Sequence, residues 1–571
     1  MARVAPDIAA LSGREFDYLV PPSMAGRIRV GSIVRAPFHG RRVKGWVVGL
    51  SRQPSTERRL LALARLSSDG PGPEIVELAW WAAWRWAGPA NRFLGTASPP
   101  RAAFVDDGPR PRPLAAPGAA RSPGDVVVVR VPPAGDAFAL VAHAAAQGDT
   151  LVLAPSLAEA AIVAARLRNR GHAVAEVPRD WARAAAGGCS VVGARAGAWA
   201  PVPRLAAVVV VDEHDEVYQE ERAPTWNARD VAVERARRAG VPCVLTSPCP
   251  SLDTLARARL EVPGRAEERA GWPVLEVVDR RQEAPGLGLY SERLVALVRG
   301  AGPGGRVLCV LNRKGRVVLL ACGQCRELAR CEACEGPLET AVAGLRCRRC
   351  GAGQPALCRW CGAGRLKAVR IGVSRAREEL ELLAGLDVAE VTADTAEGKL
   401  PDAPVLVGTE ALLHRAAGAA AVAFLDFDQE LMAPRYRAAE RALALLARAG
   451  RVVGGRDGGD NRGRVLVQTR LAGHEALDAA LHGDPGRLAV VEAARRAALS
   501  LPPETAVARL SGPGAPELAA VLSARLDLEV MGPSHDRWLV RAPDHRTLCD
   551  ALAATPRPPA RTRVEVDPLR A

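Results

Sequence analysis

Eight of the thirteen cysteines fall between Cys322 and Cys361, in four Cys-x2-Cys steps. The order is Cys322-x2-Cys325-x5-Cys331-x2-Cys334-x12-Cys347-x2-Cys350-x7-Cys358-x2-Cys361. Each step presents two thiolates to one ion, and a tetrahedral Zn2+ takes two such turns, so eight thiolates make two sites. The inner dyads, Cys331/Cys334 and Cys347/Cys350, stand twelve residues apart, near a zinc-ribbon spacing. That leaves Cys322/Cys325 to close with Cys358/Cys361, a nested arrangement. Four thiolates leave no open coordination position, so both zinc ions are expected to be structural. Arg326, Arg330, Arg346, Arg348, Arg349 and Arg359 interleave with the ligands. They either offset thiolate charge or face a nucleic acid or partner; both readings stand at this point.

A second group of residues has the layout of a phosphate-binding loop without its chemistry. Val131-Pro132-Pro133-Ala134-Gly135-Asp136-Ala137-Phe138 links a predicted strand to a predicted helix. A working loop needs G-x4-G-K-[ST], whose N–H groups cradle phosphate, whose lysine neutralises charge and whose hydroxyl holds Mg2+. After Gly135, Asp136 stands in place of the lysine and Ala137 in place of the hydroxyl, and two prolines remove N–H donors. The lysines are Lys44, Lys314, Lys367 and Lys399, and none completes the motif elsewhere. Asp212 and Glu213 follow the apolar run 205–211 where Walker-B carboxylates would stand, and are the candidate catalytic residues. Acidic residues after a strand also make ordinary turns.

Elements to position these groups are legible around them. A chain of 571 residues implies about three to five domains. Residues 1–105 predict a small barrel-like β domain, with strands at 17–20, 32–36 and 45–49 and a helix at 73–86. That helix carries Trp80, Trp81, Trp84 and Trp86, read as core packing or as base-stacking residues. Residues 106–123 are rich in proline and arginine and read as a linker. Strands and helices then alternate over 124–272, and again over 273–321 with 362–472, predicting two parallel α/β lobes. The cysteine module occupies 322–361, and 473–571 forms a smaller α+β unit. Lys plus Arg is 77 against 63 for Asp plus Glu, a net charge of +14. The excess points to a polyanion, nucleic acid or membrane surface, although an Ala/Arg/Gly/Pro-rich, lysine-poor chain also reflects a GC-rich genome. No signal peptide and no membrane span are expected, which places the protein in the cytoplasm.

In their order these segments resemble the PriA (primosomal protein N′) family of bacterial replication-restart proteins, superfamily 2 DNA helicases. The resemblance covers nearly the whole chain and is closest to its actinobacterial branch. Asp212-Glu213-His214-Asp215 with Asn227-Ala228-Arg229-Asp230 resembles the family's DEEH box and ARD follow-on. Ser247-Pro-Cys249-Pro-Ser-Leu252 resembles SATPSL, and Leu311-Asn-Arg-Lys-Gly315 resembles LNRRG. Val407-Gly-Thr409, Arg437-Ala-Ala-Glu440-Arg441 and Val564-Glu-Val-Asp567-Pro568 also match. The resemblance implies two RecA-like lobes, the nested two-zinc module and an N-terminal 3′-end DNA-binding domain. There Phe16 and Asp17 would hold the 3′ nucleotide, and Arg41, Arg42 and Lys44 would contact phosphate. It implies forked DNA with a 3′ end and single-stranded DNA as ligands, and the replicative helicase or its loader and single-stranded DNA-binding protein as partners, in the nucleoid. The departures are as informative: Walker A is gone, the DEEH box lacks one acidic residue, and the arginine-rich last motif reads as decayed over 448–455. The expectation is a fork-binding primosome scaffold without ATP-driven unwinding. The alternative is an ATP-dependent 3′-to-5′ helicase with a divergent nucleotide site.

Overall fold

The computed structural model describes residues 1–8, 11, 13–53, 59–105, 125–282, 289–301, 305–312, 320–341, 344–368, 373–391, 395, 400–456 and 463–569. The expected linker 106–123 lies outside the described residues, as do Arg313, Lys314, Gly315 and Lys399.

Five N-terminal strands pair antiparallel in the order β2-β1-β4-β3-β5: β1 (Ala2–Pro6), β2 (Phe16–Tyr18), β3 (Ile33–Phe38), β4 (Arg41–Leu50) and β5 (Arg65–Ser68). The sheet curls as the barrel-like reading requires, since Leu19 bridges Ala62 and the Tyr18 hydroxyl donates to Pro37 O at 3.1 Å. The two-residue turn His39-Gly40 has positive φ at both positions, which matches strand twist. One face packs Val4, Tyr18, Val34 and Val47 together. The other places Ile33 and Trp46 in the core formed with helices Pro73–Arg85 and Ala90–Ala97. From Trp86 a run of rings continues through Phe93 (6.4 Å between centroids) to Trp199 (5.5 Å) and Trp226 (5.7 Å). Trp84 donates to Asp550 at 2.8 Å, and Trp80 is half-buried against the same core. The tryptophans of this helix therefore pack and anchor.

The first parallel sheet has seven strands in the order Arg259–Glu261, Val126–Arg130, Cys243–Ser247, Leu205–Val210, Asp149–Leu153, Ser190–Gly193, Val174–Glu176. Its β-branched runs are buried on both faces, as a sheet covered by helices demands. The second has six, in the order Val274–Asp279, Arg464–Thr469, Ala421–Phe424, Val307–Val310, Val405–Gly408, Val388–Val391. Helices Glu475–His482 and Pro485–Ala498 put Ala476, Leu477, Ala480 and Leu488 into this second core. The remaining C-terminal unit is a four-stranded antiparallel sheet, Glu529–Ser534, Arg537–Ala542, Ala506–Ser511, Arg563–Val566, with helices Ala515–Ser523 and His545–Ala554. It shares a core with the N-terminal helices, and Arg85 ion-pairs with Asp567 at 2.6 Å. Among the described residues no helix is long and apolar enough to cross a membrane.

Candidate functional site

Strands Val126–Arg130, Cys243–Ser247 and Leu205–Val210 are neighbours, so the loops at their C-terminal ends meet where open parallel sheets bind ligands. The first of these loops offers no phosphate cradle. Val131 N–H donates to Ser247 O at 3.0 Å, Ala134 N–H to Gly271 O at 3.0 Å and Gly135 N–H to Pro132 O at 2.8 Å. Asp136 supplies the anion from within the chain. Its Oδ1 accepts from Phe138 N–H at 2.9 Å, at the start of helix Phe138–Gln147, and from Arg166 Nη1 at 3.0 Å. The Arg166 hydrogen bond holds this carboxyl below its ordinary range against the opposing effect of burial. Arg166 also lies over the Phe138 ring, 3.9 Å from its centroid. The helix N-terminus that would attract a phosphate thus faces a carboxylate already in place. Helix Phe138–Gln147 begins two residues after Asp136, whose carboxylate accepts from its first N–H.

The Walker-B candidates are also engaged. Glu213 is buried; its Oε1 accepts from Ser251 N–H at 2.8 Å, and its Oε2 from the Ser251 hydroxyl (2.9 Å), the Thr254 hydroxyl (2.6 Å) and Arg229 Nη1 (3.0 Å). His214 Nδ1 and the Ser247 hydroxyl stand 2.9 Å apart. Asp212, buried and with a φ of 52°, accepts from Arg451 Nη2 at 2.9 Å through Oδ1, while Arg451 Nη1 contacts Oδ2. Burial pushes this carboxyl up, but Arg451, with His214 and Arg448 behind it, outweighs burial and holds it at about 2.

Arg451 comes from the second lobe, on helix Ala438–Val453, here termed the arginine helix. Arg437, Glu440, Arg441, Arg448 and Arg451 are spaced to share one face of it. Arg437 pairs with Asp253 at 2.8 Å, Arg448 with Glu159 at 2.8 Å, and Glu440 accepts from Leu252 N–H at 2.9 Å. Arg441 contacts Glu216 of the first lobe and pairs with Glu410 of its own at 2.7 Å. Within this helix, a Cβ on Gly450 would lie 3.2 Å from Pro133 Cβ and 2.8 Å from Pro273 Cδ. An interior glycine costs a helix about 1 kcal/mol, and here it lets the helix seat on the proline loop. The cleft that remains, lined by Asp212, His214, Glu410, His414, Arg448 and Arg451 among others, holds about 160 Å3. Small-molecule sites usually begin near 300 Å3. The expectation of a decayed arginine motif at 448–455 needs correction. Arg448 and Arg451 survive one turn apart and aim at first-lobe carboxylates; only their spacing of three carried that signal.

The cysteines converge as the spacing predicts. Cys322, Cys325, Cys358 and Cys361 form one cluster and Cys331, Cys334, Cys347 and Cys350 another, the ligand atoms of each within 4.8 Å of one another. Sγ–Sγ separations include 3.5 Å for Cys322–Cys361, 3.4 Å for Cys325–Cys358, 3.6 Å for Cys331–Cys350 and 3.5 Å for Cys334–Cys347. A tetrahedral ion with metal–sulfur bonds of about 2.3 Å spreads its ligands by roughly 3.8 Å, so both donor sets fit one metal ion. All four turns close alike. The N–H groups of Arg326, Glu335, Gly351 and Gly362 donate to Cys322, Cys331, Cys347 and Cys358 O at 3.1, 2.9, 3.0 and 2.8 Å, each donor residue having positive φ. Arg330 and Arg359 pair with Glu335 at 3.1 and 2.6 Å, and Arg348 with Glu339 at 3.4 Å, so part of the interleaved arginine charge is met locally. A Cβ on Gly336 would stand 3.1 Å from Cys347 Sγ, 3.2 Å from Cys334 Sγ and 2.8 Å from Arg349 Cβ. Gly336→Ala is therefore expected to cut bound metal from two ions per chain to one, read by elemental analysis, with the melting of the two lobes unchanged.

At the N-terminus, Phe16 and Asp17 lie on edge strand β2, and the Phe16 ring meets Phe38 edge-on with centroids 5.3 Å apart. Phe38 in turn meets His39 at 4.6 Å, so β2 and the β3–β4 turn form one rim. Arg41 and Arg42 open β4 and are exposed; Lys44 is half-buried, its Nζ 4.7 Å from the Trp46 ring centroid.

Comparison with known proteins agrees with this layout. The family model for the 3′DNA-binding domain (3′BD) of PriA matches residues 3–99, the curled sheet with its helices. A probable replication restart protein PriA of Mycobacterium tuberculosis is 30% identical, over 90% of this chain and 87% of its own. That of Mycobacterium leprae is 30% identical over 91% of this chain and 89% of its own, and the replication restart protein PriA of Bacillus subtilis is 28% identical over 55% and 42%. With that identity sustained from the 3′-end domain through both lobes, the chain belongs to the PriA family of replication restart proteins.

Proposed function

We propose that the protein binds abandoned or stalled replication forks through its N-terminal unit and acts there as a platform for primosome assembly and reloading of the replicative helicase, without unwinding DNA itself. Family membership and the 3′-end domain support the fork-binding half. On the rim, the Asp17 carboxylate would accept from the sugar hydroxyl or base edge of a 3′ nucleotide packed against Phe16. Arg41, Arg42 and Lys44 would neutralise the adjoining phosphates. Each four-cysteine cluster would hold a structural Zn2+, the ion such thiolate sets favour. The partners in this reading are the replicative helicase or its loader and single-stranded DNA-binding protein, in the cytoplasm at the nucleoid.

The absence of a motor rests on one observation: the loop carboxylate Asp136 and the strand-end Asp212 are each already paired with an arginine of the chain. The test is nucleotide binding and DNA-stimulated ATP hydrolysis, with a forked duplex carrying a free 3′ hydroxyl as stimulator. The expected result is fork binding that weakens when the 3′ end is blocked by phosphate, with no nucleotide bound or turned over. Turnover that disappears in Asp212→Asn would overturn this reading in favour of an ATP-dependent 3′-to-5′ helicase with a divergent nucleotide site.

A further inference from the structure

Positive charge is concentrated at the start of the chain. Residues 1–105 hold fifteen Arg and Lys against seven Asp and Glu, so eight of the fourteen excess charges occupy under a fifth of the length. The strand register arranges part of this excess. Arg35 of β3 stands directly opposite Lys44 of β4 on one side and Arg65 of β5 on the other. Register partners share a sheet face, so the three form a row across three strands, about 10 Å long. Arg42, two residues before Lys44, projects to the same face. Arg35, Arg42 and Arg65 are exposed. Among the described residues none of the four cations meets a carboxylate. Like charges directly opposite one another repel, and this row contains two such contacts.

The neighbours on this face make the row abrupt. Two residues away along their strands, Ile33 and Trp46 are buried under the helical layer. Where that cover ends, the face becomes basic at once. Phe16 belongs to the opposite, inner face, packed with Val4 and Val34, so its ring and the basic row lie on opposite faces of the sheet.

We infer that Arg35 and Arg65, which extend the row beyond the Lys44 and Arg42 of the 3′-end reading, bind the phosphodiester backbone of a duplex arm next to the 3′ end and independently of that end. The inference rests on the fork-binding reading above. Its chemistry is sequence-independent: flexible cations set about one strand spacing apart meet successive phosphates and release their counterions. A nucleic acid is favoured over a lipid surface because the unit matches a DNA-binding domain.

The test uses the full chain and compares the salt dependence of binding to a blunt duplex, to a fork with a free 3′ hydroxyl and to the same fork with a 3′ phosphate. In Arg35→Gln/Arg65→Gln the slope of log affinity against log salt is expected to fall by about 2 on all three DNAs, with affinity near 0.1 M salt down about tenfold or more. The ratio between free and blocked 3′ ends should stay as in the unsubstituted chain. Arg35→Lys/Arg65→Lys should restore the slope, and the melting temperature of the glutamine variant should hold or rise, since repulsion is relieved. An unchanged slope in a folded glutamine variant overturns the inference. So does an unchanged slope accompanied by lost binding to phosphatidylserine vesicles. Asp17→Asn separates the two readings: it should erase the 3′-end preference while leaving the slope intact. A missing 3′-end preference in the unsubstituted chain would count against the proposed function and leave the slope comparison valid.

Discussion

Arg451→Ala is expected to destabilise the protein by about 3–5 kcal/mol, the cost of stranding a buried carboxylate without its partner. Asp212 is 5% exposed, and the arginine arrives from the other lobe. The double variant Asp212→Asn/Arg451→Gln should recover most of that loss, because replacing both members of a buried ion pair is often close to neutral. Asparagine is the right replacement, since it tolerates the left-handed backbone that Asp212 adopts. Denaturant unfolding reads both variants. The pH dependence has a definite sign. Asp212 is depressed to about 2 from an ordinary 3.8. A depressed carboxyl stabilises above its unfolded pKa and loses that contribution as pH falls through the folded one. The share carried by Asp212 is about 2 kcal/mol, present above roughly pH 4 and lost toward pH 2. The gap between the unsubstituted chain and Arg451→Ala should narrow across that window. A loss under about 1 kcal/mol at neutral pH would show that the arginine helix does not hold the lobes together.

Removing metal should produce the other large effect. The cysteine module has little core of its own: Leu320, Leu338 and Leu345 pack with Cys331 and Cys347, and its strands run two to four residues. Structural zinc in four-cysteine sites contributes about 10–16 kcal/mol of apparent binding energy, so with zinc as the proposed ion the module is expected to fold with its ions or not at all. Chelation is expected to release two ions per chain and unfold the segment 320–368 while both parallel sheets persist, seen as loss of amide protection confined to that segment. Cys331→Ser and Cys322→Ser should each remove one ion, since the two sites share no ligand. Release of both ions with protection unchanged would mean the module is held by something other than metal.

What was legible in the sequence was local. The Cys-x2-Cys turns encode their own geometry, and the twelve-residue spacing of the inner dyads pointed to the nested pairing that the clusters adopt. Apolar runs such as 205–210 announce strands buried on both faces. Contacts between distant residues leave no such trace. Asp212 and Arg451 are 239 residues apart, and Asp136 and Arg166 are thirty apart. Nothing in either local pattern names the partner. The four tryptophans of helix Pro73–Arg85 and the residue after it were ambiguous for the same reason, because Asp550 at Trp84 and the Phe93–Trp199–Trp226 run beside Trp86 come from elsewhere in the chain. The periodicity of 475–498 announces buried faces without saying that the second parallel sheet buries them.

Asp136 bears on how such a chain can change over time. Turning it into lysine would bring back the charge a nucleotide needs, yet the same change removes the acceptor of the Phe138 N–H and sets two cations against each other at Arg166. The loop would still hold Pro132 and Pro133, and Arg451 would still occupy Asp212. Each mutational step toward a working motor is unfavourable until the others have been taken. On the scaffold reading proposed above, the internal ion pairs act as a ratchet: once the chain supplies its own anions, drift can remodel its surfaces freely, while a working nucleotide site lies several coupled changes away.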